Sequence, residues 1–226
     1  MIQWFLPQAS SFAGDVDFLF LLITLVVGFW FILTELVFFG LMVVYQKREG
    51  KKAEYITGDG HEKHWIHVPH WIVIVCDVFL IVGAIMVWNK IKIDMPEKID
   101  ATIKVIGQQW AWTFVHPGPD GDINTEEDNI ITIDELHVQK GLTYKFDLSS
   151  KDVLHNFSVP VFRLKQDAVP GRTISGWFKP TKTGTFDIQC AEMCGTAHGI
   201  MNAFLHIEDA ENHENWMKQY QALAHK

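Results

Sequence analysis

Cysteine is scarce in this chain: three in 226 residues, too few for a disulfide framework. Cys76 falls inside a long apolar run and reads as a small packing residue, which leaves Cys190 and Cys194 to explain. Bases are outnumbered, 19 against 27 acids for a formal net charge of −8, which disfavours nucleic acid as a partner. No internal repeat and no low-complexity tract is present. No Cys-x-x-Cys-His occurs either, so no c-type haem is attached to this chain.

Two stretches also lack charge almost completely. Residues 18 to 44, "FLFLLITLVVGFWFILTELVFFGLMVV", carry only Glu35. As a helix rising about 1.5 Å per residue they extend roughly 40 Å, enough to cross a bilayer with tilt. Residues 69 to 88, "PHWIVIVCDVFLIVGAIMVW", hold a single acid, Asp77, and open on Pro69, a residue tolerated in a first helical turn. A buried core helix seldom needs so many consecutive apolar positions, so both are expected to be membrane spans. A cleaved signal peptide fits the first run poorly: Asp15 and Asp17 rather than bases precede it, and no small-residue site ends it. The connecting loop 45 to 68 carries Lys47, Arg48, Lys51, Lys52 and Lys63, which places it in the cytoplasm by the positive-inside rule. Both termini and everything after about residue 89 then lie on the periplasmic or outer side.

Beyond Asn89 the pattern changes to short alternating segments broken by glycine and proline. "TYKFDLS" puts Tyr144, Phe146 and Leu148 on one face, and "TIKVIG", "HNFSV", "ISGWF", "TFDI" and "NAFLHI" are similar. Turn signals at "PGPDGD", "QKG", "VPGR" and "KTG" separate them, which predicts a small β-sandwich or barrel with Greek-key connections. The expected organisation is residues 1 to 92 as an N-terminal segment with two spans, 93 to 210 as the exported β-domain, and 211 to 226 as a surface helix. Residues 90 to 226 hold 19 acids and 14 bases, a balance of −5 that suits a basic partner.

The stretch "QCAEMCGTAHGIM" concentrates soft donors: Cys190, Cys194, His198 and Met201, with Glu192 between the cysteines. Thiolate with thioether favours copper over zinc, because zinc sites rarely use methionine. A further histidine, His155 in "DVLHNFSV", lies upstream at the mouth of a predicted strand. Two thiolates can bridge a pair of copper ions, whereas a mononuclear blue-copper site uses one. A disulfide between Cys190 and Cys194, a zinc site, or chance are the alternatives.

With these features the chain resembles subunit II of the haem-copper cytochrome c oxidases. The pattern C-x-E-x-C-x3-H-x2-M is filled by Cys190, Glu192, Cys194, His198 and Met201, and "DVLHNF" is close to the family's D-V-L-H-[SN]-[WF]. The resemblance implies a two-helix transmembrane hairpin followed by a cupredoxin-like Greek-key β-sandwich, a membrane-anchored all-β protein. It implies that Cys190 and Cys194 bridge two coppers, that His155 and His198 are terminal ligands and Met201 a weak one. Glu192 is implied to give its carbonyl to copper and its side chain to a magnesium ion shared with subunit I. "IGQQWAWTF" is similar to the family's aromatic segment, which makes Trp110 the residue that takes the electron from cytochrome c; Trp112 reads as core. "LKQDAVPGR" looks like a family loop that packs on subunit I, so Lys165, Asp167 and Arg172 are interface candidates. Glu62, with Trp65 and Pro69, matches a segment at the cytoplasmic mouth of a proton path.

The acidic run "DGDINTEED" would by itself be a solvated loop; the resemblance makes Asp120, Asp122, Glu126, Glu127 and Asp128, with Asp152, candidates for docking a basic cytochrome c. Glu35 and Asp77 are costly inside a membrane and are expected to face a protein partner. The function implied is that of the electron-accepting subunit of an aa3-type or related oxidase. It takes electrons from cytochrome c or a c-type haem domain and passes them to the haems of subunit I, where oxygen is reduced to water with proton translocation; no bond is made or broken on this chain. Partners are then subunit I, other oxidase subunits, lipid, and in some settings a respiratory supercomplex. A membrane-tethered copper chaperone is the rival from another class; quinol oxidase subunit II is disfavoured by the intact ligand set.

Overall fold

The computed structural model describes residues 6–52, 55, 57, 60–118, 120–125 and 129–224. By contacts the chain divides into two units, residues 17–88 and residues 1–16 with 89–226. The first unit consists of most of α1 (Ala13–Val44) and of α2 (His64–Trp88), which follows a 3-10 turn at His61–Lys63. At 32 and 25 residues these helices are about 48 and 38 Å long. Both are long and apolar enough to cross a membrane, and almost nothing of either is buried within the chain, unlike the core helix of a soluble protein. Large apolar side chains such as Phe29, Leu36, Phe79 and Ile81 stand exposed along them, as lipid-facing residues would.

Two details correct the expectation. Both helices begin five residues before the apolar runs, because apolarity marks the membrane-spanning part of a helix rather than its end. Pro69 therefore lies inside α2 rather than in its first turn; its missing N–H costs one bond near the start of the helix.

Ten strands build the second unit among the described residues: β1 (Ala101–Gln108), β2 (Ala111–His116), β3 (Ile130–Ile133), β4 (Glu135–Gln139), β5 (Tyr144–Ser150), β6 (His155–Val159), β7 (Leu164–Ala168), β8 (Ile174–Phe178), β9 (Gly184–Cys190) and β10 (Asn202–Glu208). They form two five-stranded sheets, ordered β3-β2-β1-β5-β8 and β4-β10-β9-β6-β7. The β1/β5 and β4/β10 pairs are parallel and the other pairs antiparallel. This is the β-sandwich read from the alternating segments. Its core is made of the inward positions of both sheets: Ile103 and Val105, Trp112 and Phe114, Phe146 and Leu148, Phe157, Ile188 and Leu205, all fully buried. Each contributes about 1.5–3 kcal/mol of hydrophobic stabilisation. Trp112 is core, as expected.

A single residue turns the chain from one sheet to the other. Asp134 sits between β3 and β4 at φ 57°, a left-handed conformation that aspartate tolerates better than most residues. Its carboxylate accepts the Trp112 N–H at 2.7 Å, its own N–H donates to Trp112 O at 2.8 Å, and its carbonyl accepts the Phe204 N–H at 2.8 Å. Both sheets are thereby tied to one corner.

The segment before α1 departs from the expected organisation. The sequence groups residues 1 to 92 as one N-terminal segment, yet the described residues 6 to 16 belong with the β-domain. Ala9 N–H donates to Val161 O and Thr181 N–H to Ala9 O, at 2.9 and 2.8 Å. Phe12 is fully buried with its ring edge-on to Trp177, and Ser10 Oγ both donates to Phe162 O and caps the Ala13 N–H. A helix α3 (Ala210–Ala224) closes the domain, resting Trp216 on the outer face of β4.

Candidate metal centre

The donor-rich loop 191–201 joins β9 to β10 at one end of the sandwich. Antiparallel pairing sets Phe157 of β6 opposite Cys190, so His155 at the mouth of β6 falls beside the last residue of β9. The loop is fastened at its root by Cys190 N–H to Met201 O and Ala191 N–H to Asn156 O, both 3.1 Å, and it finishes in a 3-10 turn at His198–Ile200.

These contacts converge five side chains and a carbonyl. Cys190 and Cys194 are free thiols with sulfurs 3.7 Å apart. Around Cys190 Sγ lie His155 Nδ1 at 3.9 Å and Glu192 O at 3.2 Å. Around Cys194 Sγ lie His198 Nδ1 at 3.6 Å and Met201 Sδ at 3.7 Å. Each thiol therefore has one imidazole and one weak donor at its side. Cys190, Cys194, Met201 and His155 are buried, the last completely. Burial first, and then the neighbouring Cys190, push the Cys194 thiol up to about 11. A soft cation that pairs with thiolate offsets that penalty, so the donor set and its surroundings fit copper.

Two glycines are required here. A Cβ on Gly107 would stand 3.1 Å from the His155 ring and 3.2 Å from Trp112. Gly195 has φ +122°, and a Cβ there would meet Gln109 Nε2 at 2.8 Å and the Trp110 ring at 3.2 Å. That close approach lets Gln109 Nε2 and Trp110 Nε1 donate to Cys194 O, at 2.8 and 3.3 Å. Trp110 is 41% exposed, so its indole links solvent to the residue that carries one thiol.

Asp152, read from sequence as a docking acid, has a second task. Its carboxylate accepts His155 Nε2 at 2.8 Å and the backbone N–H groups of Gln109 and Val153 at 2.6 and 2.7 Å. That bond turns His155 Nδ1 toward Cys190, as an outer partner orients a metal-ligating histidine. Burial opposes its charge, but the bonds from His155 and the two N–H groups outweigh it and hold the carboxyl below the usual range. The signal for this role was the three-residue spacing within "DVLH". Gln109, by contrast, carried no signal.

The other candidates scatter. Asp120 and Asp122 are exposed and fold a turn, Asp120 Oδ1 accepting the Asp122 N–H and Asp122 Oδ1 the Asn124 N–H. That turn follows β2 whereas Trp110 precedes it, so a strand about 20 Å long separates them. Glu126, Glu127 and Asp128 lie outside the described residues, as does the side chain of Glu62. Lys165 and Asp167 are exposed on β7, a strand at the sheet edge rather than the loop expected, and Arg172 is exposed in the turn after it. Glu192 is half-buried; Glu35 is half-buried and Asp77 exposed on their helices.

The family model described as the periplasmic domain of cytochrome c oxidase subunit II matches residues 101–207. The alternative cytochrome c oxidase subunit 2 of Bradyrhizobium diazoefficiens is 31% identical, over 98% of this chain and 85% of that one. Cytochrome c oxidase subunit 2 of Thermostichus vulcanus is 42% identical over 55% of this chain, which spans only 35% of that protein. Among solved structures, the crystal structure of the periplasmic domain of cytochrome oxidase subunit II of Bradyrhizobium japonicum superposes with a TM-score of 0.50 at 29% identity, covering 57% of this chain and 99% of that one.

Proposed function

Because the chain belongs to the cytochrome c oxidase subunit II family, and is thus one component of an oxidase, we propose that its 190–201 loop and His155 hold two copper ions that relay electrons from a cytochrome c to subunit I. The observation that carries this is the paired donor set: two thiols in contact, each flanked by one imidazole nitrogen and one weak donor. One metal ion would leave half of that set without use. Held by Cys190, Cys194, His155, His198 and Met201, a copper pair would supply a one-electron carrier whose charge is shared, so little rearrangement would accompany transfer.

The protein residues do the rest. Asp152 and Gly107 hold His155 in place, and burial of the thiols excludes water. Trp110 receives the electron at the surface and delivers it through its bond to the Cys194 carbonyl. Asp152, bonded to Gln109 beside that tryptophan, supplies negative charge where a basic donor docks. The acidic turn at Asp120 and Asp122 contributes only long-range attraction, beyond a Debye length of about 8–10 Å. The exposed edge β7 with Lys165 and Asp167, and Arg172 beyond it, forms the face toward subunit I. Glu192 turns its carbonyl to Cys190 and leaves its carboxylate for a magnesium ion at that boundary. Loop 45–68, with Glu62, is on the cytoplasmic side. The packing of residues 9–12 on the β-domain supports placing the N-terminus on the outer side.

Turnover separates the steps. In the assembled oxidase, Trp110→Phe should keep its copper while oxidising cytochrome c much more slowly, and Cys190→Ser should lose copper and turnover together. Unchanged turnover in Trp110→Phe would remove that residue from the path.

A further inference from the structure

A second cluster of metal-ligating side chains lies on the outer face of the β4/β10 pair, apart from the copper loop. Parallel pairing sets His137 of β4 directly opposite His206 of β10, so both rings project from one face of the sheet. Glu135, two residues before His137 on the same strand, shares that face. One donor atom from each of Glu135, His137 and His206 lies within 4.8 Å of the others, and His137 Nε2 is 3.9 Å from Glu135 Oε2. His206 is five residues beyond Met201 along β10, so about 16 Å separates the two clusters.

The surroundings of His137 are those of a ligand held in advance. Its Nδ1 is 2.9 Å from Glu208 Oε1, and the other oxygen of that carboxylate is 2.9 Å from His213 Nδ1. The tautomer that donates from Nδ1 to Glu208 leaves a lone pair on Nε2, directed to the Glu135 side, as in carboxylate–histidine–metal triads. The ring is clamped between Trp216, stacked at 4.3 Å, and His206, stacked at 4.4 Å. His206 Nδ1 lies 3.2 Å from Thr185 Oγ1, and donation there frees its Nε2 in the same way. Ligand atoms around a tetrahedral ion with bonds of about 2.0–2.1 Å stand roughly 3.3 Å apart, so closure needs shifts of about 1 Å and a rotation of the His206 ring out of its stack on His137, because stacked imidazoles direct their lone pairs in parallel. The freedom for that movement is present: the Glu135 side chain is 48% exposed and His206 is half-exposed.

We propose that Glu135, His137 and His206 form a binding site for a divalent borderline cation of the zinc type, with water completing its coordination. Two imidazoles and one carboxylate are the donors such ions take, and they offer magnesium or calcium too few oxygens. A cation here fastens β4 at the sheet edge to β10, below α3, and takes no part in electron transfer.

Zinc binding to the copper-loaded, detergent-solubilised oxidase tests the site. Zinc per complex is counted after equilibration and gel filtration, for the wild type, His206→Gln and Glu135→Gln. Zinc bound elsewhere on the complex cancels in the difference. Both substitutions lie at half-exposed or exposed positions, and copper content with far-ultraviolet circular dichroism verifies that each variant is folded. Loss of one zinc equivalent per chain in both variants, with copper unchanged, is the result expected. Retention of that equivalent in either variant overturns the proposal.

Discussion

Mild acid should loosen the β-domain through His116, before most of its carboxylates titrate. This ring is buried, with Nε2 3.3 Å from Thr132 Oγ1 and the Trp216 ring at 5.0 Å. Burial first, and then repulsion from His137 and His213, bring its pKa down from 6.5 to about 3. In the unfolded chain the same residue takes a proton near pH 6.5. Above that pH neither state is charged and stability is intact. Below it the unfolded state binds a proton that the folded state refuses until about pH 3, so stability falls throughout that window. At about pH 5, some 1.5 pH units into the window, the loss is about 2 kcal/mol. Asp134, whose carboxyl is raised by burial, works in the opposite direction but is only partly buried. Urea unfolding of the metal-free, detergent-solubilised chain at about pH 7.5 and about pH 5, followed by tryptophan fluorescence, measures the change. His137, which burial also holds below its ordinary value, adds to the loss in the same window, so His116→Gln should abolish a large part of the change but not all of it. A variant that loses as much stability as the wild type between the two pH values would refute the assignment to His116.

Three further outcomes are expected. Gly107→Ala puts a methyl group 3.1 Å from the His155 ring, so it should cost about 1–3 kcal/mol and weaken copper uptake, read by thermal melting and metal analysis; wild-type values for both would show that the ring has room. Asp152→Ala should lower copper affinity by about 10–100-fold with the fold retained, as loss of an outer histidine partner does. An unchanged copper titration would leave Asp152 with docking alone. Phe12→Ala empties a fully buried site on the β-domain and should cost about 3–5 kcal/mol in urea unfolding, whereas a near-neutral result would mean that residues 9–12 merely rest on the surface.

The convergence of soft donors was legible because four of the side chains lie within one loop, and the fifth, His155, opens a strand whose alternation is plain. The spans were legible from length and lack of charge. What escaped detection depends on pairing between distant segments. Asp134 turns the chain between sheets with one residue in a left-handed conformation, and no pattern announces that. "QASSFAG" has neither helical nor strand periodicity, yet Ala9 and Phe12 are buried in the domain. "LKQDA" reads as a polar loop, because an edge strand with one exposed face has only Leu164 and Ala168 to bury. His137 and His206 meet only through the β4/β10 register. Individual acids were the least informative signal: Asp152 and Asp120 look alike in sequence, and only the first touches the centre.

Copper stoichiometry and spin distribution test the central claim most directly. The purified copper-loaded chain should hold two coppers per chain and give an electron paramagnetic resonance signal of one electron shared over two equivalent nuclei. One copper per chain with an ordinary four-line signal, or a silent protein filled with zinc, would contradict it.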